Sequence, residues 1–312
     1  MRDRPELTAD PLSDVLAMLE VSSGDPVRVE AGGAWALHFP AYDYLKFLVQ
    51  LEGSLWLQVD GDPEPQRLDP GDCMVLRDGR AYVAGSDLAA PVADGPLHFS
   101  RLPDTGNVVR WGDAPWVVML GGRFGFDQAQ RELLDTLMPA NLVVRAASAS
   151  APALRAVLDL LAQETQSPQA GQRLVARSLA WLALVAALRA RPASSDGWLG
   201  ALADSKIGSV LKLLHAAPAR RWTLQELAAE VGMSRSALVQ RFRAKTGMAP
   251  LNYLLHWRMR LARYALRKDE VTVATLAYRL GYASESAFSA AFKRVTGLAP
   301  AHYRRAPPKE AA

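Results

Sequence analysis

The sequence is poor in the residues that build covalent or metal-centred chemistry. It holds one cysteine, Cys73, and five histidines in 312 residues. A lone cysteine excludes an intrachain disulfide and any cysteine-cluster metal site, and it fits a reducing, cytoplasmic compartment. No HExxH, GxSxG, glycine-rich phosphate loop or pair of carboxylates at catalytic spacing is present, so no catalytic residues, cofactor or enzyme activity are expected. Long apolar runs are missing too. The nearest, LVARSLAWLALVAAL over 174–188, is broken by Arg177 and followed by Arg189 and Arg191. It is too short to cross a bilayer, so no membrane partner is expected. The opening Met1-Arg2-Asp3-Arg4 leads into no apolar stretch of the signal-peptide kind.

Charge is present but unevenly placed. From residue 219 onward, 17 Lys and Arg stand against 6 Asp and Glu, a net +11, whereas residues 1–218 carry a net −7. A basic module of this size fits a polyanion partner, and double-stranded DNA is the first candidate.

The strongest signal is an internal repeat. LAAEVGMSRSALVQRFRAKTGMAP (227–250) returns as LAYRLGYASESAFSAAFKRVTGLAP (276–300). Leu227, Ala228 and Gly232 recur 49 residues later, and Ser234, Leu238, Phe242, Gly247 and Pro250 map 50 residues later onto Ser284, Phe288, Phe292, Gly297 and Pro300. Each copy predicts two short helices at a sharp angle. Thr223 and Thr272 cap the first, a glycine makes the turn, and Ser234 or Ser284 caps the second. This is the pattern of a helix-turn-helix, whose second helix enters the major groove. A longer helix over about 251–267 joins the copies, with Leu251, Leu254, Leu255, Arg258, Leu261, Ala262 and Ala265 as its expected core stripe. It would hold the units about one DNA turn apart, roughly 34 Å.

Residues 205–305, most densely LAYRLGYASESAFSAAFKRVTGLAPAHYRR, resemble the AraC/XylS-type transcriptional regulators. The resemblance implies two helix-turn-helix subdomains on a linker helix. It places Ser236, Val239 and Gln240 at base-facing positions of the first unit, and Glu285, Ser286, Ser289 and Ala290 in the second. Gln240 suits an adenine edge and Glu285 a cytosine amino group, while Val239 and Ala290 suit a thymine methyl. Arg235, Arg241, Arg243, Lys245, Arg258, Lys293 and Arg294 are the phosphate-contact candidates, which supply affinity and salt dependence more than sequence choice.

Residues 27–99 read differently. VRVEAGGAWALHF, LKFLVQLEGSLWLQVDG, QRLDPGDCMVLRD and LHFSRL are strand-like runs between Gly, Pro and Asp turns. With no long crossover helix between them, a small barrel is indicated. LEGSLWLQVDG and LDPGDCMVL resemble the cupin-like sensor domain of many AraC-type regulators. Metal-binding cupins carry clustered histidines, whereas here Leu45, Lys46, Phe47 and Tyr82 occupy the corresponding regions, so no metal is expected. Trp35, His38, Tyr42, Tyr44, Lys46, Trp56 and Tyr82 are the candidates to line an effector pocket. Cys73 is expected to be a buried, inert thiol.

The expected fold is α+β multidomain: an N-terminal cupin-like β-barrel with a helical segment, and a C-terminal all-α double helix-turn-helix domain. Its divisions are a sensing domain at 1–125, a helical dimerisation segment at 126–192, a linker at 193–203 and a DNA-binding domain at 204–306. The expected function is a sequence-specific DNA-binding regulator, activator or repressor, modulated by a small-molecule effector. Homodimerisation is implied by resemblance, and RNA polymerase is a further candidate partner. Two alternatives stay open: a metal-independent cupin-like ligand-binding protein, or a metal-dependent cupin enzyme with a DNA-associated helical tail.

Overall fold

The fold comes from a computed structural model, which describes residues 10–19, 22–23, 25–103, 107–114, 116–126, 128–148, 152–166, 169–190, 197–268 and 271–305. They form two compact units, one within 21–192 and the other combining the N-terminal segment up to residue 20 with residues from 193 onward.

Helix α1 (Pro11–Leu16) belongs to the second unit. The first unit runs through strands β1 (Ser22–Ser23), β2 (Val27–Gly32), β3 (Ala36–Phe39), β4 (Leu45–Glu52), β5 (Leu55–Val59) and β6 (Gln66–Leu68). It continues with β7 (Cys73–Leu76), β8 (Tyr82–Gly85), β9 (Val92–Asp94), helix α2 (Gly95–Ser100), β10 (Val108–Trp111) and β11 (Trp116–Gly125). Helix α3 (Gln128–Leu137), β12 (Asn141–Val144) and helices α4 (Pro152–Glu164) and α5 (Gln172–Arg189) complete it. One sheet has the order β10-β2-β11-β4-β7-β12, with β1 also on β11; the other has the order β6-β5-β8-β3-β9. Strand β4 shows why both of its faces are covered. Successive side chains point to opposite faces, so Leu45, Phe47 and Val49 share one face, all buried, while Lys46 and Leu48 share the other. Phe47 stacks on Phe124 at 5.4 Å, and Phe124 meets Trp181 of α5 edge-on at 6.0 Å. A helix therefore seals the outer face of this sheet, and the inner face is left to line the barrel.

The sequence-based expectation fails at two places in this unit and the segment after it. LHFSRL was expected as a strand, yet its first residues lie in α2. The Asp94 carboxylate accepts the Leu97 N–H at 2.7 Å and Pro96 sits in the first turn; cap and proline outweigh the strand preference of Phe99. Between the helices expected within the segment 126–192, residues 141–144 form β12, which pairs antiparallel with β7. The expected linker 193–203 is helical from Trp198 to Ala203, because Trp198, Leu199 and Ala201 are buried within the second unit. Linker residues 193–196 lie outside the described residues.

The second unit comprises α1 with α6 (Trp198–Ala203), α7 (Ser205–Ala216), α8 (Leu224–Glu230), α9 (Arg235–Thr246), α10 (Pro250–Lys268), α11 (Val273–Arg279), α12 (Glu285–Thr296) and α13 (Pro300–Arg305). Placing α1 here departs from the expected 1–125 sensing domain. The stripe of α10 is also rotated from expectation: Leu251 is exposed, whereas Tyr253, Leu254, Trp257, Met259, Ala262 and Leu266 are buried.

A buried polar chain ties α1 into this unit. The Trp198 indole N–H donates to Tyr253 Oη at 2.7 Å, His215 Nε2 lies 2.8 Å from the same hydroxyl, and His215 Nδ1 lies 3.3 Å from Asp14 Oδ2. A neutral His215 satisfies the whole chain: Tyr253 donates to Nε2, and Nδ1–H donates to the carboxylate. The imidazole also stacks on Trp257 at 3.9 Å. Burial holds its pKa below the ordinary 6.5, outweighing the Asp14 carboxylate that pulls the other way. The unfolded chain therefore takes up a proton near 6.5 that the folded chain refuses. Stability from neutral His215 is complete above that pH and is lost as pH falls below it. We expect the melting temperature to fall as pH drops below 6.5 and His215→Gln to flatten this fall, read by scanning calorimetry.

Candidate nucleic-acid interface and barrel cavity

Each helix-turn-helix is held by local chemistry that the repeat encodes. Thr223 Oγ1 accepts the Glu226 N–H at 3.1 Å, and Glu226 Oε2 accepts the Thr223 N–H at 2.8 Å, a reciprocal cap that starts α8. Ser234 and Ser284 each accept the N–H three residues on, at 3.2 Å, and so start α9 and α12. Gly247 and Gly297, at φ 79° and 80°, end them in left-handed caps. Leu238 and Phe242 on α9, and Phe288 and Phe292 on α12, are wholly buried.

With those faces pinned, the opposite faces are presented outward. Ser236 and Gln240 are exposed and Val239 is half-buried; together with Arg235 and Arg243 they line a shallow groove along α9. On α12, Glu285, Ser286 and Ala290 are exposed and Ser289 is half-buried. The two units share one further detail: Ser236 Oγ lies 3.2 Å from Ser234 Oγ, and Ser286 Oγ lies 3.0 Å from Ser284 Oγ. Each keeps capacity for another hydrogen bond.

Among the phosphate-contact candidates, Arg235, Arg243, Lys293 and Arg294 are exposed and Lys245 is half-buried. Arg241 and Arg258 have other partners. Arg241 pairs with Asp204 at 2.7 Å. Burial works against that carboxylate, but the N–H groups it caps on α7 and Arg241 itself hold its pKa below the ordinary range. Half-buried Arg258 donates to the Pro218 and Arg220 carbonyls at 2.6 and 2.9 Å. These two arginines brace the unit, and their fork geometry suits that bracing task.

The barrel encloses a cavity of about 740 Å³, within the range of small-molecule sites. Of the seven pocket candidates, Trp35, Tyr44, Lys46 and Tyr82 line it. Tyr42 lines an adjoining groove with Tyr44 and Lys46. His38 and Trp56 are not among the lining residues, because each alternates with an inward neighbour: His38 with Leu37 and Phe39, Trp56 with Leu55. Phe39, Phe99 and Trp111 line the cavity and were missed by the sequence reading. Phe39 was reachable from the alternation of Trp35 and Leu37; Phe99 and Trp111 depend on how α2 and β10 close the barrel. The Lys46 ammonium donates to the Tyr82 hydroxyl and lies 4.4 Å from the Phe39 ring centre. Burial lowers its pKa to about 8 and pushes that of Tyr82 well up. Cys73 is buried, and burial beside Asp72 raises its thiol to about 12, so the reactive thiolate is suppressed. Among the described residues no three His, Cys, Asp or Glu are grouped to hold a metal ion, and no helix is long and apolar enough to cross a membrane.

Residues 10–191 match the cupin family, and residues 227–306 match a helix-turn-helix domain family. An AraC-like transcription regulator of Streptomyces antibioticus is 40% identical over 302 residues, covering 96% of this chain and 99% of its own length. The regulator AlkR of Acinetobacter baylyi is 28% identical, covering 95% of this chain and 99% of its own. The crystallised DNA-binding domain of AdpA with its target DNA is 33% identical, covering 30% of this chain and 88% of that one, at a TM-score of 0.29. A cupin barrel joined to a duplicated helix-turn-helix defines a sequence-specific DNA-binding transcriptional regulator, not an enzyme. The chain belongs to the AraC/XylS family of these regulators.

The two turn glycines make a sharp contrast. Gly232 has φ 60° and open space around a Cβ, whereas at Gly281, with φ 82°, a Cβ would lie 2.0 Å from the Ala219 carbonyl oxygen. Gly232→Ala meets only left-handed strain, about 1–2 kcal/mol. Gly281→Ala must also displace backbone. We expect it to lower the denaturation midpoint clearly more than Gly232→Ala, measured side by side in urea.

Proposed function

We propose that the chain reads its operator with α9 and α12, dimerises through α4 and α5, and holds a small-molecule effector in its barrel. The observation that carries the DNA reading is the two-faced build of the second helices. Leu238, Phe242, Phe288 and Phe292 fix one side of each, while Gln240, Ser236, Glu285 and Ser286 stand exposed on the other. Gln240 is the strongest base reader among them, since a side-chain amide can pair with both hydrogen-bonding groups of an adenine edge. Short residues on α12 leave its unit relying more on backbone and shape contacts. The helix between them, α10, has 19 residues and so is about 28 Å long.

Dimerisation is supported by apolar side chains that the fold leaves uncovered: Leu160 on α4 is 52% exposed, and Leu174 and Leu182 on α5 are 72% and 48% exposed. Leu174 and Leu182 lie eight positions apart, two turns along one face of the helix. The cavity supports the effector reading. An operator close to a promoter would make RNA polymerase a further partner.

The test is binding of the full chain to operator DNA selected from random sequence, against scrambled DNA, over a salt series. We expect Gln240→Ala to lose about 1–3 kcal/mol on the selected site and to relax the preference at one position. Arg243→Ala should weaken binding to every sequence alike and reduce the salt slope by about 0.9. Selection that yields no preference would contradict the reading. For the dimer, Leu174→Glu with Leu182→Glu should give a monomer in sedimentation equilibrium; an unchanged mass would place the interface elsewhere.

A further inference from the structure

We propose that the barrel cavity holds an apolar monocarboxylate, its carboxylate between Lys46 and Arg123 and its body against Phe39, Phe99 and Trp111. This rests on the effector-binding reading above and names the ligand's chemistry.

Lys46 of β4 and Arg123 of β11 are direct partners across an antiparallel pair, and both line the cavity. Like charges directly opposite one another on a sheet repel and are destabilising. An anion between them reverses the sign of that interaction. Among the described residues neither cation is in an ion pair, and the protein does not supply the missing charge from the wall. The one carboxylate among the lining residues, Asp25, accepts from Arg173 Nε and from Arg177 Nε, each at 2.7 Å.

Donor capacity points the same way. A lysine ammonium has three donors, and among the described residues Lys46 places one on Tyr82. The Trp35 indole N–H, on another cavity-lining residue, is buried with no acceptor. Among the described residues these cavity-lining donors have capacity to spare, and a carboxylate brings two oxygens with several lone pairs. Most of the remaining lining residues are apolar. Phe99 meets Trp111 edge-on at 5.7 Å and lies 6.1 Å from Phe39 between ring centres. A sugar would leave its hydroxyls without partners against these rings, and a phosphate dianion would be costlier to dehydrate than a monoanion. Room is available beside the cations as well. Gly121, two residues from Arg123 and also lining the cavity, would place a Cβ 3.6 Å from Leu48, an ordinary contact, so a Cβ fits at this position without clash.

The experiment titrates the full chain with 2-naphthoate and decanoate, and with uncharged 2-naphthamide and decanol, following tryptophan fluorescence and melting temperature. The carboxylates should bind about tenfold or more tightly than their uncharged partners, the margin of a charge-assisted hydrogen bond. Lys46→Met and Arg123→Leu should each remove that margin. Lys46→Met replaces a buried amine with an apolar chain of similar length. It should melt no lower than the parent, which separates lost binding from lost folding. Equal binding of charged and uncharged probes overturns the carboxylate assignment and leaves the cavity reading standing. Binding of neither kind also overturns the assignment. In that event Gly121→Phe, which fills the cavity, decides the rest: a changed output from an operator-linked reporter keeps the effector reading, and an unchanged output ends it.

Discussion

Presentation of a recognition helix depends on anchoring its other side. In this chain the anchor is a pair of large apolar residues four apart, Leu238 with Phe242 and Phe288 with Phe292, all wholly buried. Four residues is close to one helical turn, so each pair fixes both the rotation and the tilt of its helix. Phe242 packs edge-on against Tyr253 at 5.7 Å, and Phe292 against Tyr303 at 5.5 Å, so α10 and α13 receive the load. Tyr253 in turn belongs to the buried chain through His215 to Asp14. The outward residues of α9 are thus fixed through one continuous set of contacts that includes α1.

The barrel follows the same logic with a different period. Strand alternation sends Leu45, Phe47 and Val49 toward one side of β4 and Lys46 and Leu48 toward the cavity. The cost of holding Lys46 among aromatic rings shows in its pKa, lowered to about 8. A hydrophobic side chain would fill that position at lower cost, which is why the residue reads as binding chemistry and not as packing. Arg123 opposite it strengthens the same inference.

How much was legible in the sequence follows from how local each feature is. The repeat placed both helix-turn-helix units because caps, turn glycines and i,i+4 anchors all lie within 25 residues of one another. The resemblance singled out Gln240 and Ser286, and both are exposed. The barrel was legible as a class, and four of its seven pocket candidates line the cavity, since alternation tells which residues share a face. Alternation does not tell which face is inner, so His38 and Trp56 were misplaced. Phe99 was read as part of a strand because the cap from Asp94 was not weighed. The bracing partners of the phosphate-contact candidates Arg241 and Arg258 were not legible for another reason: Asp204 and the Pro218 and Arg220 carbonyls are 37 to 40 residues away. The Asp14–His215 contact spans 201 residues, beyond any periodicity argument.

The central claim is that two anchored helices read one duplex through successive major-groove segments. Methylation interference on the selected operator, bound by the full chain, tests it most directly. The account requires two clusters of interfering purines on one face of the duplex, about 10 bp apart centre to centre for each chain bound. Gln240→Ala should erase contacts in one cluster and leave the other in place. A single cluster per chain, or two clusters on opposite faces of the duplex, would contradict it.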